Sequence, residues 1–283
     1  RLAAKEARLS PPDVPGPPLV LKRFAVAGAI DPARSTVTFD RGVAIAPLGV
    51  YKAAGSLAIG PDGPSFAGSA EIAATTVETL KRIWPPVTAH DARTWLVNEV
   101  EAGTIVRARA DFALTPEDLD GLPETTFHVP GGIDVEIDFR DGVLRLPGEL
   151  PALAGATGKA RVLDRRAGLA VTDGRLRVDG RPDLAVSAFE AEVEDLGARP
   201  PPVRMRAEVA GPAETVVAIA DREPVDVVEA VGISPDDVSG TVEAELALSG
   251  TFADPIDPAA LEWRVDATVR DGASSAKLAG RTV

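Results

Sequence analysis

The side chains able to carry chemistry are few and scattered. Two histidines are present, His90 and His128, and there is no cysteine, hence no thiolate nucleophile, no disulfide and no Cys metal site. His90 falls in the first turn of a predicted helix beside Asp91, and His128 precedes Val129-Pro130-Gly131-Gly132. The two match no metal-binding spacing, and exposed neutral imidazoles are the simpler reading. Asp134, Glu136 and Asp138 alternate along one predicted strand. Such a row could hold a cation or supply an acid and base, but alternate acids are more often the solvent face of a strand. Pro235-Asp236-Asp237 lacks the ligand spacing of a calcium loop, and Gly131-Gly132 is too short to cradle a phosphate. No Gly-x-Ser-x-Gly elbow and no strand, glycine loop and helix unit occurs. With no nucleophile, metal shell or cofactor loop, the expectation is a protein that is not an enzyme and takes no cofactor or metal.

The elements that would position any site are mostly strands. Residues 1–18 are polar and then proline-rich, a linker or irregular lead-in. From Leu19, short runs broken by Gly, Asp and Pro predict consecutive antiparallel strands, among them Ser35–Phe39, Val43–Ala46, Lys52–Ile59 and Ser65–Ala74. The period then changes. Thr75–Ile83 and Thr88–Val100 have helical spacing, with Ala92, Trp95, Leu96 and Val100 on one face, Thr88 as N-cap and Gly103 as the terminating glycine. Strands resume at Thr104. Ile133, Val135, Ile137 and Phe139 alternate with the three acids, and Asp141-Gly142 predicts a hairpin turn with a return strand from Leu144. Asp173-Gly174 and Asp179-Gly180 predict further turns, and the apolar phase of Leu184–Val193 slips between Ala188 and Phe189, the mark of a β-bulge. A second helical stretch is predicted over about 213–231, with strands again at Ser239–Ser249, Leu261–Val269 and Ala273–Ala279.

The fold class expected is therefore mainly β, an extended antiparallel meander forming a curved, groove-like sheet, with two short helical insertions at about 75–100 and 213–231. The two insertions, each leading into a long strand that opens on Gly103 or Gly240, form an internal quasi-repeat. The organisation expected is a lead-in over 1–18, a first β unit with its closing helix pair over 19–103, a second over 104–231 and a truncated third over 232–283. The chain begins at Arg1 without a Met and ends in or just after a predicted strand, and is read as a piece of a longer protein.

Composition narrows the partners. Forty-three acidic residues against 30 basic ones leave a net charge of −13, which disfavours nucleic acid and tight docking on an anionic bilayer. Aromatic residues are 4% of the chain while hydrophobic residues are 45%, so the apolar surface is built from Ala, Val, Leu and Ile, which suits a thin sheet with one apolar face. No run of about 18 apolar residues occurs, so no membrane span is expected within the chain.

One segment resembles a known family. Trp84-Pro85, then Ala92-Arg93-Thr94-Trp95-Leu96, then Gly103-Thr104-Ile105 are similar to the signature of the large YhdP-type, AsmA-like proteins of Gram-negative envelopes. Gly232-Ile233 and Ser239-Gly240-Thr241-Val242 are similar to the next stretch of that family's pattern, so the resemblance spans about residues 20–283. It implies a periplasmic segment of a protein anchored in the inner membrane. That segment would offer an apolar β-groove to phospholipid acyl chains passing between inner and outer membrane, with other envelope proteins as further partners and no catalytic residues. The candidate lipid-facing residues are Val106, Ala108, Phe112, Ile133, Val135, Ile137, Phe139, Val242, Leu246 and Leu248, with Trp84 and Trp95 packing the helix pair against the sheet. The competing expectation is a structural or protein-binding β-repeat array with a sealed core and no lipid. A sheet with one apolar face open along its length favours the first; apolar faces sealed against each other favour the second.

Overall fold

The computed structural model describes residues 1–9, 18–84, 90–120, 131–223, 234–251, 260–275, 277–278 and 281–282. Alternating residues place successive side chains on opposite faces, and nearly every such stretch folds as a strand. In chain order these are β1 (Leu2–Ala4), β2 (Ala7–Leu9), β3 (Leu19–Leu21), β4 (Arg23–Asp31), β5 (Thr36–Ile45), β6 (Val50–Gly60), β7 (Gly63–Thr76), β8 (Val100–Leu114), β9 (Ile133–Leu144), β10 (Leu153–Leu163), β11 (Arg166–Leu176), β12 (Leu184–Val193), β13 (Pro202–Pro212), β14 (Val238–Thr251), β15 (Leu261–Ser274), β16 (Lys277–Leu278) and β17 (Arg281–Thr282). Thirteen of them make one sheet in the order β1-β4-β5-β6-β7-β8-β9-β10-β11-β12-β13-β14-β15, an antiparallel meander that does not close on itself. β2 pairs with β3 and β16 with β17 as separate ribbons, so the lead-in contributes two short strands. The helices are α1 (Val77–Ile83), α2 (His90–Glu99), α3 (Pro116–Asp120) and α4 (Ala213–Ala220).

Several local expectations are corrected. Asp141-Gly142 and Asp173-Gly174 do not reverse the chain: they lie inside β9 and β11. Asp141 is left-handed (φ +54°), as is Asp271 (φ +51°) within β15. In β15 the pairs Ser239↔Ala273 and Thr241↔Arg270 leave Asp271 and Gly272 opposite Gly240 alone, two residues against one, which is a bulge. Asp179-Gly180 does sit in a turn, with Gly180 at φ +76°. Gly103 does not end a helix; α2 hands over to β8 at Val100, and Gly103 is a strand residue. The bulge in β12 falls between Val186 and Ala188, one step earlier than the sequence places it. Thr88 and Val225–Val231 lie outside the described residues.

The chain packs as two compact units: Arg1–Asn98 with Ala102–Arg140 and Lys159–Ala167, and Glu99–Glu101 with Asp141–Gly158 and Gly168–Val283. In the first, β7 and β8 pair with each other although α1 and α2 intervene in the chain. Thr76 caps α1, its hydroxyl accepting from the Thr79 N–H (3.2 Å). Val77, Leu80, Leu96, Ile105 and Ala108 are buried. Thr75, 1% exposed, is satisfied by the Tyr51 hydroxyl (2.8 Å) and the Leu48 carbonyl (3.3 Å), as a buried hydroxyl requires. The two helices hold each other by their carbonyl ends. Arg93 of α2 donates to the Trp84 and Lys81 carbonyls (3.2 and 3.4 Å), and Lys81 of α1 donates to the Val97 carbonyl (3.1 Å). Cations there satisfy orphan carbonyls and complement the helix dipole. Trp95 is 47% exposed, so the anchoring position expected of it belongs to its neighbour Leu96.

In the second unit α4 intervenes between β13 and β14, which again pair directly. Ala213 and Thr215 are buried, and Thr215 Oγ1 donates to the Pro182 carbonyl (3.0 Å). Leu144, Leu153, Ala156, Val171, Leu176, Leu184, Val186, Val209 and Val242 are also buried.

Three substitutions test the packing. Arg93→Ala removes two hydrogen bonds from a charged donor, and urea unfolding should show a loss of about 1–3 kcal/mol. Gly55→Ala should cost about 1–3 kcal/mol by overpacking, because a methyl there would meet the Ala67 carbonyl oxygen at 2.7 Å and the Phe39 ring at 2.9 Å. Gly131→Ala, with nothing within 4 Å, should stay within about 0.5 kcal/mol of the parent.

Candidate functional site: an open apolar sheet face

Residues directly opposite in an antiparallel pair point to the same side, so the pairings trace each face across the strands. In the first unit four rows cross β4 to β8: Phe24–Ala44–Tyr51–Ile72–Ala108, Val26–Gly42–Ala53–Ala70–Ala110, Gly28–Phe39–Gly55–Gly68–Phe112 and Ile30–Val37–Leu57–Phe66–Leu114. Every one is apolar except for the Tyr51 hydroxyl. Phe39, Phe66 and Phe112 run across the sheet with ring centroids 6.2 and 6.3 Å apart, within the range of favourable aromatic pairs. Gly55 and Gly68 leave room for the rings to lie over the strand backbone: a methyl at Gly68 would meet the Phe66 ring at 2.9 Å.

In the second unit the rows crossing β12 to β15 are Val186–Val209–Ala244–Ala267, Phe189–Ala207–Leu246–Val265 and Ala191–Met205–Leu248–Trp263. The opposite face carries charge. Glu190, Arg206 and Arg264 share one row, with Ala247 between the arginines, and Glu208, Glu245 and Asp266 share the next. A shallow depression of about 220 Å³ on that face is lined by Arg206, Glu245, Ala247, Arg264 and Asp266. In the first unit Lys52 pairs with Glu71 (3.5 Å) and Arg109 with Asp111 (2.8 Å) on the corresponding face. Asp111 holds the Arg109 guanidinium above its ordinary range, by hydrogen bond first and charge second. These pairs are exposed, and each contributes at most about 1 kcal/mol.

Among the described residues no second layer covers the apolar face along these strands. Phe39, Leu57, Phe66 and Phe112, and likewise Leu246 and Leu248, are only half-buried, and Ile30, Val265 and Val269 are 73%, 57% and 57% exposed. A sandwich would bury them. Val209 and Val242 of this face are buried, on the strands β13 and β14 against which α4 packs.

The candidate residues divide accordingly. Phe112 lies on the open face of β8, and Leu246 and Leu248 on that of β14. Ile133, Val135, Ile137 and Phe139 are half-buried along β9. The acids between them face basic residues of β10: Asp134 and Glu136 pair with Arg161 (3.2 and 3.7 Å) and Asp138 with Lys159 (3.5 Å). Ala108 and Val242 are on the apolar face but buried, Val242 on the strand against which α4 packs. Val106 sits at an irregularity: Ala74 opposite it is left-handed (φ +52°), the buried residues are Ile105 and Ala108, and Val106 is 47% exposed. Sequence reasoning passed over Phe39, Phe66, Trp263 and Val265, although each occupies the apolar phase of its own strand. The side chain of His90 and the whole of His128 lie outside the described residues. Among the described residues no group of three His, Asp or Glu side chains is placed to hold a metal ion, and no helix is long and apolar enough to cross a membrane. Comparison with protein-family models, curated proteins and solved structures finds no match.

An uncovered apolar face should bind a solvatochromic dye in the native state. Anilinonaphthalene sulfonate fluorescence is expected with folded protein and to fall in the Leu246→Glu/Val265→Glu variant to the share contributed by the first unit's face, while Glu245→Gln leaves it unchanged. Equal fluorescence from all three would place the dye elsewhere.

Proposed function

We propose that this chain is a lipid-carrying segment, its apolar sheet face receiving the acyl chains of phospholipids while their headgroups stay in water. The observation that carries the reading is the division of each unit into one face that is apolar row after row, with its large side chains left half-buried or exposed, and one face that carries the charged pairs. Hydrocarbon needs only a continuous apolar surface, and each methylene removed from water contributes about 0.8 kcal/mol. An acyl chain therefore needs no polar pocket to be held.

The similarity of Trp84-Pro85, Ala92–Leu96 and Gly103–Ile105 to the AsmA-like signature supports the fuller form of the proposal: a periplasmic segment of a protein anchored in the inner membrane, passing phospholipid between the two membranes of a Gram-negative envelope without catalysis. Net charge of −13 agrees with a surface that does not adhere to anionic headgroups.

Photoreactive amino acids at Val135 and Ile137 test the proposal in cells, with Glu136 as the opposite-face control. Phospholipid adducts at the first two and none at Glu136 are expected. Crosslinks from Val135 and Ile137 only to protein would abandon the lipid reading for a structural array.

A further inference from the structure

Six Asp-Gly pairs occur in the chain: Asp62-Gly63, Asp120-Gly121, Asp141-Gly142, Asp173-Gly174, Asp179-Gly180 and Asp271-Gly272. Such a pair carries its own electrophile and nucleophile, the aspartyl carboxyl and the amide nitrogen of the next residue, and glycine puts no side chain in the way of their meeting. Whether they meet depends on how firmly the fold holds the peptide between them. Asp141-Gly142 and Asp173-Gly174 lie inside β9 and β11, each bonded to a strand on either side. Asp271-Gly272 is pinned by Thr241↔Arg270 before it and Ser239↔Ala273 after it. Gly63 pairs with Gly60 across the β6–β7 hairpin. Gly121 lies outside the described residues.

Asp179-Gly180 is held in none of these ways. It forms the middle of a turn between β11 and β12, closed by the Arg181 N–H donating to the Val178 carbonyl (3.1 Å). Gly180 has the positive φ (+76°) of the third residue of a type II turn. Both residues are exposed. Among the described residues the Gly180 N–H donates to no carbonyl, and the Asp179 carboxylate has no hydrogen-bond or ion-pair partner. Nothing stands within 4 Å of where a Gly180 side chain would begin.

We infer that Asp179-Gly180 is a site of spontaneous backbone modification, where the chain isomerises to isoaspartate. The Gly180 nitrogen attacks Asp179 Cγ. Its proton and the carboxyl hydroxyl leave as one water, and a five-membered succinimide closes. Water then reopens the ring. Entry at the former side-chain carbonyl restores aspartate; entry at the main-chain carbonyl leaves the chain running through Cβ and Cγ, one methylene longer. The cycle releases one water and takes one up, so mass is unchanged and no oxidant or reductant is needed.

The position gives the change a consequence. Arg181 pairs with Asp236 (2.7 Å), and the Pro182 carbonyl accepts from Oγ1 of the fully buried Thr215 in α4 (3.0 Å). The added methylene enters the backbone just before both contacts. Isoaspartate therefore displaces the segment that fastens α4, the helix packed against β13 and β14. This holds whatever the apolar face binds.

The test is to hold the folded chain at body temperature in mildly acidic buffer for several weeks. Isoaspartate is then mapped in its tryptic peptides by isoaspartyl methyltransferase labelling and electron-transfer fragmentation. Cleavage at Arg175 and Arg177 separates Asp173 from Asp179. Isoaspartate at Asp179 should exceed that at Asp62, Asp141, Asp173 and Asp271 several-fold, and hydrogen exchange of the α4 amides should quicken as it accumulates. In urea, where the fold no longer distinguishes the pairs, the rates should converge. Asp179→Glu, whose longer side chain would have to close a six-membered ring, should stay unlabelled at that position and keep slow α4 exchange. Absence of isoaspartate from Asp179, or its even spread over the folded chain's Asp-Gly pairs, would overturn the inference. Accumulation at Asp179 with unchanged α4 exchange would overturn the link to the helix.

Discussion

Everything in this molecule depends on a period of two held in register. A side chain in a strand has only two directions open to it, and a cross-strand neighbour must share the one it takes. Thirteen strands obeying that rule produce a face where Leu246 has Ala207 on one side and Val265 on the other, and a reverse face where Glu245 lies between Glu208 and Asp266. A one-residue slip anywhere would scatter apolar groups among the charges. Surplus residues are taken up locally. Asp271-Gly272 against Gly240, Ser187 in β12 and the pair Asp40-Arg41 in β5 absorb the surplus residues, and the alternation resumes beyond them.

Much of this was legible because a strand's period is local. Ile133 to Phe139 declares its two faces within a single short run, and the structure pairs the acids of that stretch with Arg161 and Lys159 of the next strand. The helical spacing before β8 and before β14 was equally plain. What could not be read is what depends on partners distant in sequence. Asp-Gly favours the left-handed conformation whether the chain turns or bulges; only the pairing of the residues on either side distinguishes the two, and in β15 they keep the same neighbour. Gly103 resembles a helix stop because helix and strand meet without a loop. The cluster of Phe39, Phe66 and Phe112 rings, drawn from two adjacent rows over Gly55 and Gly68, joins residues that no short window contains together.

The helices serve the sheet at particular places. α1 and α2 enter and leave between strands that are already neighbours, and so does α4. Val77, Leu80 and Leu96 are their buried apolar residues in one unit and Ala213 in the other, and α4 packs against β13 and β14, where Val209 and Val242 are buried on the apolar face. Over the remaining strands the apolar side chains have one another as cross-strand neighbours. A face finished this way suits occupants that come and go, such as hydrocarbon chains.

From β5 to β15 each strand of the sheet bonds only to its sequence neighbours, and such a meander has a mechanical character. Force applied along that stretch reaches one hairpin at a time, because among the described residues each of these strands takes its ladder partners from the strands next to it in sequence. Within each unit the ladders would open in succession, like a folded ruler drawn out segment by segment, and re-form in the reverse order once the tension is released.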